Sequence, residues 1–135
     1  MDWPRKIKIL FSHEDETVHQ RVIPLLQQSF RQQVGGSVEI VPQYSAQETL
    51  CCATDHIVDL VIISNEYRSG DLSAQALCAQ IKNLDKSIPV VVFSSEPYGD
   101  LMGIDGWFEF PKGKDEVKSL SLFLRKGQKR EKKAS

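Results

Sequence analysis

Asp59-Leu60-Val61-Ile62-Ile63-Ser64 carries four consecutive apolar residues, three of them β-branched, between an acid and a serine. A run this short, with no polar residue in alternate positions, marks a strand covered on both faces, as in a parallel sheet. Pro89-Val90-Val91-Val92-Phe93-Ser94 repeats the pattern thirty residues on. Between them Leu77, Ile81 and Leu84 recur at helical spacing, which predicts a helix over about Leu72 to Leu84.

Working outward, Ile7 to Phe11 reads as a strand broken only by Lys8 and closed by the polar cluster Ser12-His13-Glu14-Asp15-Glu16. Val18, Val22, Leu25, Leu26 and Phe30 then place one apolar stripe on a helix from about Asp15 to Gln33. Asp15 is suited to cap its start, and Pro24 predicts a kink because it removes a backbone bond at a cost of about 3 kcal/mol. Gly35-Gly36 ends that segment. Val38 to Val41 reads as a second strand, and Ala46 to Thr54 as a short helix with Leu50 and its cysteines turned inward. Trp107-Phe108-Glu109-Phe110 reads as a fifth strand, and Val117, Leu120 and Leu124 mark a last helix. Strands alternating with amphipathic helices predict an α/β fold, a doubly wound five-stranded parallel sheet of flavodoxin-like order 2-1-3-4-5.

The bulk properties narrow the function. The chain has 135 residues, suited to one domain, and a formal net charge of −1, so no whole-domain field draws it to nucleic acid or an anionic membrane. No apolar run reaches the length of about 18 residues that a membrane span needs, and the start lacks the apolar stretch of a secretory signal, which predicts a cytoplasmic protein without membrane insertion. Three cysteines, two of them adjacent, form no disulfide framework and no C-x-x-C spacing, and are expected to be small buried hydrophobes. Residues 1–126 form the expected domain. Residues 127–135 form a basic tail: Arg125 to Lys133 holds six basic residues and one acid, without the interleaved aromatics that stack on bases, so nucleic acid is not the expected partner.

In an open parallel sheet, ligands bind beyond the carboxyl ends of the strands. Here those positions hold Ser12-His13-Glu14-Asp15, Ser64-Asn65, Ser94-Ser95 and Glu109-Phe110-Pro111. Over Lys6 to Lys126 the chain resembles the receiver domain of bacterial response regulators, the CheY-like module of two-component and phosphorelay signalling. Lys8-Ile9-Leu10-Phe11 resembles the first receiver strand, which ends in an acidic pair. Asp59 to Ile63 resembles the run into the phospho-accepting aspartate, and Ile88 to Ser94 the fourth strand with its switch hydroxyl. Gly103 to Pro111 resembles the fifth strand with its lysine-proline end.

The resemblance implies a fold and a signalling role, but its chemistry transfers poorly. The acidic pair that would hold Mg²⁺ falls at His13 and Glu14, and a hard cation prefers carboxylate oxygens over imidazole. The phospho-acceptor falls at Ser64, which lacks the nucleophilic carboxylate, and the lysine falls at Phe110. Only the hydroxyl survives, as Ser94. These groups act on one transition state, so aspartyl phosphorylation and Mg²⁺ binding are expected to be lost or weak, and the domain is expected to be a pseudo-receiver without enzymatic activity. Between Ser94 and Gly103 the chain is short and contains Pro97 and Gly99, which predicts a shortened fourth helix and a reshaped partner face around Tyr98, Met102 and Trp107. The expected function is a phosphorylation-independent interaction module that docks to another signalling protein or to itself.

Two other readings remain open. One is an α/β domain that senses a small molecule or ion through His13, Glu14, Ser64 and Ser94. The other is a receiver still phosphorylated on an unusual acceptor, using Glu14 and Asp15. A transition-metal site at His13, Glu14 and Asp15 lacks a clearly placed further ligand. Neither a glycine-rich phosphate loop nor a G-x-S-x-G nucleophile elbow occurs at a strand end.

Overall fold

The computed structural model describes residues 7–34, 37–55, 58–64, 67, 72–93 and 104–108. In chain order these form β1 (Ile7–Ser12), α1 (Glu16–Val34), β2 (Val38–Gln43), α2 (Ala46–Asp55), β3 (Leu60–Ser64), α3 (Ala74–Leu84), β4 (Val90–Phe93) and a three-residue β5 (Gly106–Phe108). The strands pair in parallel in the order β2-β1-β3-β4-β5. Of the fifth strand read from the sequence, Glu109 and Phe110 lie outside the described residues. So do the segment expected to hold a shortened fourth helix, the last helix and the basic tail.

Successive strand side chains point to opposite faces, and both faces are apolar. Ile9, Phe11, Leu60, Ile62 and Val91 meet α1 through Val22, Leu26 and Phe30. Leu10, Val61, Ile63, Val90 and Val92 face the other way, onto Ala46 and Ala53 of α2 and Leu77, Cys78 and Ile81 of α3. The sheet is therefore doubly wound, and Leu60 to Ile63 are fully buried. This explains why their run shows no alternation.

Local chemistry sets the boundaries of the helices. Asp15 caps α1, its Oδ1 accepting from the Thr17 N–H at 2.8 Å. Ser45 and Glu48 cap α2 much as a capping box does: Ser45 Oγ accepts from the Glu48 N–H, and Glu48 Oε2 accepts from the Tyr44 N–H, each at 3.1 Å. Ser73 caps α3.

Three expectations need correction. Leu25 is half exposed, because the buried stripe of α1 follows His19, Val22, Leu26 and Phe30 and leaves Leu25 on its rim. On α2 the buried positions are Ala46, Thr49 and Ala53, so Cys51 is exposed, Cys52 and Leu50 are half buried, and only Cys78 is fully buried. The second strand runs past Val41 to Gln43. Pro42, lacking an N–H, is tolerated because β2 is an edge strand. Helix α1 itself is unbroken from Glu16 to Val34 across Pro24.

Candidate functional site

The carboxyl ends of β1 and β3 lie side by side and carry a chain of hydroxyl groups. Ser12, the last residue of β1, is fully buried, and its Oγ lies 2.6 Å from Thr49 Oγ1 on α2 and 2.6 Å from the Tyr67 hydroxyl. Ser64, the last residue of β3, is 3% exposed, and its backbone N–H donates to the Tyr67 hydroxyl at 3.1 Å. At the far end Thr49 donates to the Ser45 carbonyl at 2.7 Å. Thr49 Oγ1 is placed to donate to Ser12 as well as to the Ser45 carbonyl, and between Ser12 and Tyr67 either hydroxyl can be the donor. The chain joins β1, α2 and Tyr67.

Burial pushes the Tyr67 hydroxyl up to about 12, against the opposing effect of its hydrogen bonds to Ser12 and the Ser64 N–H. The phenol is therefore neutral at physiological pH and keeps its proton to donate.

His13 follows Ser12 and is pinned at three points. Its N–H donates to the Gln43 carbonyl at 3.0 Å, its Nδ1 accepts from the Asp15 N–H at 2.9 Å, and its carbonyl accepts from His19 Nε2 at 2.7 Å. Burial, followed by the neighbouring His19, holds its imidazole below its ordinary value, while Asp15 and Glu14 pull the other way. His19 is 3% exposed and sits between the rings of Phe11 and Tyr44, with centroids 5.3 and 4.4 Å away. Because the His13 carbonyl can only accept, His19 carries its proton on Nε2, and Nδ1 has no hydrogen-bond partner among the described residues.

Of the site residues expected from sequence, His13, Glu14 and Ser64 are described and gather at the strand ends. Ser94, Phe110, Tyr98 and Met102 lie outside the described residues. Trp107 is placed as a β5 residue opposite Val92 of β4. The sequence reading missed Thr49, Tyr67 and His19. Thr49 was hidden by the emphasis on cysteines in α2, and its signal is its place at helical spacing between Ala46 and Ala53. His19 stood in the apolar stripe of α1, where its polarity obscured its burial. Tyr67 carries no periodic signal.

Among the described residues no group of three His, Cys, Asp or Glu side chains is placed to hold a metal ion. His13 Nδ1 is engaged with the Asp15 backbone N–H. No described helix is long and apolar enough to cross a membrane.

No protein-family model matches the sequence, and no curated protein matches it. Solved structures do. A signal receiver domain of an HD domain-containing protein from Pseudomonas fluorescens is 18% identical with a TM-score of 0.74, the match spanning 98% of this chain and 96% of the other. A response regulator receiver domain from Clostridium thermocellum is 22% identical with a TM-score of 0.68, over 96% of this chain and 99% of the other. The receiver domain of a sensor histidine kinase from Pseudomonas aeruginosa, with a magnesium ion coordinated in its active-site cleft, is 16% identical with a TM-score of 0.67, over 89% and 98%. The chain has the CheY-like receiver fold.

Proposed function

We propose that this chain is a pseudo-receiver: a signalling domain that keeps the receiver scaffold and works by docking, without aspartyl phosphorylation. The observation that carries this reading is Ser64. At the end of β3, where the resemblance places the phospho-acceptor, stands a buried serine whose N–H is bonded to the Tyr67 hydroxyl. Serine lacks the carboxylate that forms an acyl phosphate. With imidazole at His13 and a single carboxylate at Glu14, Mg²⁺ binding is weak or lost, and the domain is not an enzyme.

In this reading a five-stranded receiver sheet with a shortened fourth crossover displays Tyr98, Met102 and Trp107 as the contact face. The partner is another signalling protein or a second copy of the chain, in a bacterial cytoplasm, and the basic tail solubilises and does not bind nucleic acid. Aromatics are enriched among the residues that dominate binding energy, so Trp107 is expected to carry the largest share of the contact.

The test is an amide NMR titration of the full chain with Mg²⁺ and beryllofluoride, a phosphoryl mimic. The expected result is no response at Glu14 or Ser64. A response that spreads from those residues to Trp107 overturns the reading and makes the chain a phosphate-sensing receiver.

A further inference from the structure

Strand β2 lies at one edge of the sheet, and its pairing with β1 decides which of its backbone groups face outward. The Ile7 N–H donates to the Ser37 carbonyl at 2.9 Å and the His13 N–H to the Gln43 carbonyl at 3.0 Å, at the two ends of the ladder. In an extended strand the N–H and carbonyl of one residue point to the same side. With Ile9 in register with Ile40, the groups of Ser37, Glu39, Val41 and Gln43 turn toward β1, and those of Val38, Ile40 and Pro42 turn away from it. Such a row of outward groups is a template for another strand. Here two positions in the row are out of use. Pro42 has no N–H to give. The Val38 carbonyl accepts from the Gln27 side-chain amide, which reaches it from α1.

The two losses fall on the two ends of one bond. A second copy brought to this edge by a two-fold axis normal to the sheet presents β2 antiparallel to itself. In the register that uses all three outward residues, Ile40 lies opposite its own counterpart and Val38 lies opposite position 42. Each such pair exchanges two N–H···O bonds. The Val38 carbonyl would take its bond from the N–H at position 42, so proline removes the donor and Gln27 occupies the acceptor. The symmetry repeats the loss at the other end of the pairing. We propose that Gln27 and Pro42 together close the β2 edge to pairing with a second copy of this chain. The rest of the strand is of the kind that pairs: Val38 and Ile40 are β-branched, with their side chains already packed in the core. This goes beyond the docking reading above, because it directs any contact between copies to a surface other than β2.

The test is sedimentation velocity of the full chain at several protein concentrations, with amide hydrogen exchange to locate the contact. The double variant Gln27→Ala, Pro42→Thr frees the Val38 carbonyl and restores the N–H at position 42. A bond at each end of the pairing becomes available, so its self-association is expected to be about tenfold tighter than that of the wild type. Its Ile40 amide is expected to gain protection as concentration rises. Either change alone restores one end of the bond and is expected to give a smaller effect. A double variant that associates no more tightly than the wild type overturns the proposal. So does association that leaves the Ile40 amide unprotected, because the contact then lies elsewhere. Should the double variant fail to fold, the wild type decides: its Ile40 amide is expected to exchange at a rate independent of protein concentration. Protection that grows with concentration means that the edge already pairs, and overturns the proposal. The pseudo-receiver reading fails by a different result, a beryllofluoride response of the wild type, so the two stand or fall separately.

Discussion

Asp59 and Lys8 hold each other by two hydrogen bonds: the Asp59 N–H donates to the Lys8 carbonyl at 2.8 Å, and the Lys8 N–H donates to Asp59 Oδ2 at 2.9 Å. Asp105 treats Val90 in the same way, its N–H donating to the Val90 carbonyl and its Oδ2 accepting from the Val90 N–H, both at 2.8 Å. Asp59 stands just before the central strand β3 and Asp105 just before the edge strand β5, and each ties that strand's entry to its neighbour, β1 and β4 respectively. The two clamps fix the amino edge of the sheet, opposite the hydroxyl chain at the carboxyl edge.

Asp59 is 1% exposed, so removing its carboxylate strands the Lys8 N–H at the buried entry of β1. Asp59→Ala is expected to destabilise the domain by about 1–3 kcal/mol, the cost of leaving a buried donor unmet. Asp59→Asn, which keeps an acceptor oxygen, is expected to recover part of the loss. Urea unfolding measures both, and equal stability of Asp59→Ala and wild type would remove the clamp from the account.

The second clamp has a third member. Lys82 Nζ on α3 lies 2.6 Å from Asp105 Oδ2 and donates to the Ile88 carbonyl at 2.7 Å. The Asp105 side chain is 38% exposed, so solvent screens the ion pair and a double-mutant cycle is expected to give it less than about 1 kcal/mol. Asp105→Ala also strips the Val90 N–H of its acceptor and is expected to cost more than Lys82→Met. A larger loss from Lys82→Met would place the weight of the contact on the lysine.

The parts of the sequence that spoke clearly were those where one physical requirement dominates. Leu60 to Ile63 and Val90 to Val92 had to be apolar on both faces, so their character and the parallel topology were legible. Asp15 was legible as a cap because its chemistry is local. The site was legible only in outline. Ser12, His13 and Ser64 were found because strand ends are where ligands bind, but what fills the space between them comes from Thr49, 37 residues beyond Ser12, and Tyr67, 55 beyond it. No local pattern predicts a contact set by how α2 and Tyr67 meet the sheet. Leu25 and Cys51 were misplaced for a related reason. Hydrophobicity says that a residue prefers burial, while the exact face of a helix that meets the sheet is set by the packing of the whole stripe.

The two histidines predict how stability responds to acid. The unfolded chain protonates His13 near 6.5, whereas burial and His19 hold the folded value lower. Between those values the unfolded chain binds more protons, so stability rises with pH there. The contribution is complete above about 6.5 and is lost as pH falls through that value toward the folded one. His19→Phe keeps the ring packing and removes the neighbouring imidazole. It is expected to move the His13 titration part of the way back toward 6.5, because burial is the larger cause. A His13 titration at or above 6.5 in the wild type, read from its ring proton shifts, would contradict this ordering.

Thr49 offers the most direct separation of hydrogen bonding from packing at the site. It is fully buried on the face of α2 between Ala46 and Ala53, and its hydroxyl meets both Ser12 and the Ser45 carbonyl. Thr49→Val preserves the shape and removes the hydroxyl, leaving Ser12 with one partner fewer. The expected cost is about 1–3 kcal/mol, since a buried polar group loses its partner while packing is unchanged. Thr49→Ser preserves the hydroxyl and removes a methyl group, at a cost of about 1 kcal/mol. If the hydroxyl chain holds α2 to β1, valine is the more damaging change although it is the closer match in shape. Serine proving worse in chemical denaturation would mean that the methyl packing against the sheet outweighs the hydrogen bonds.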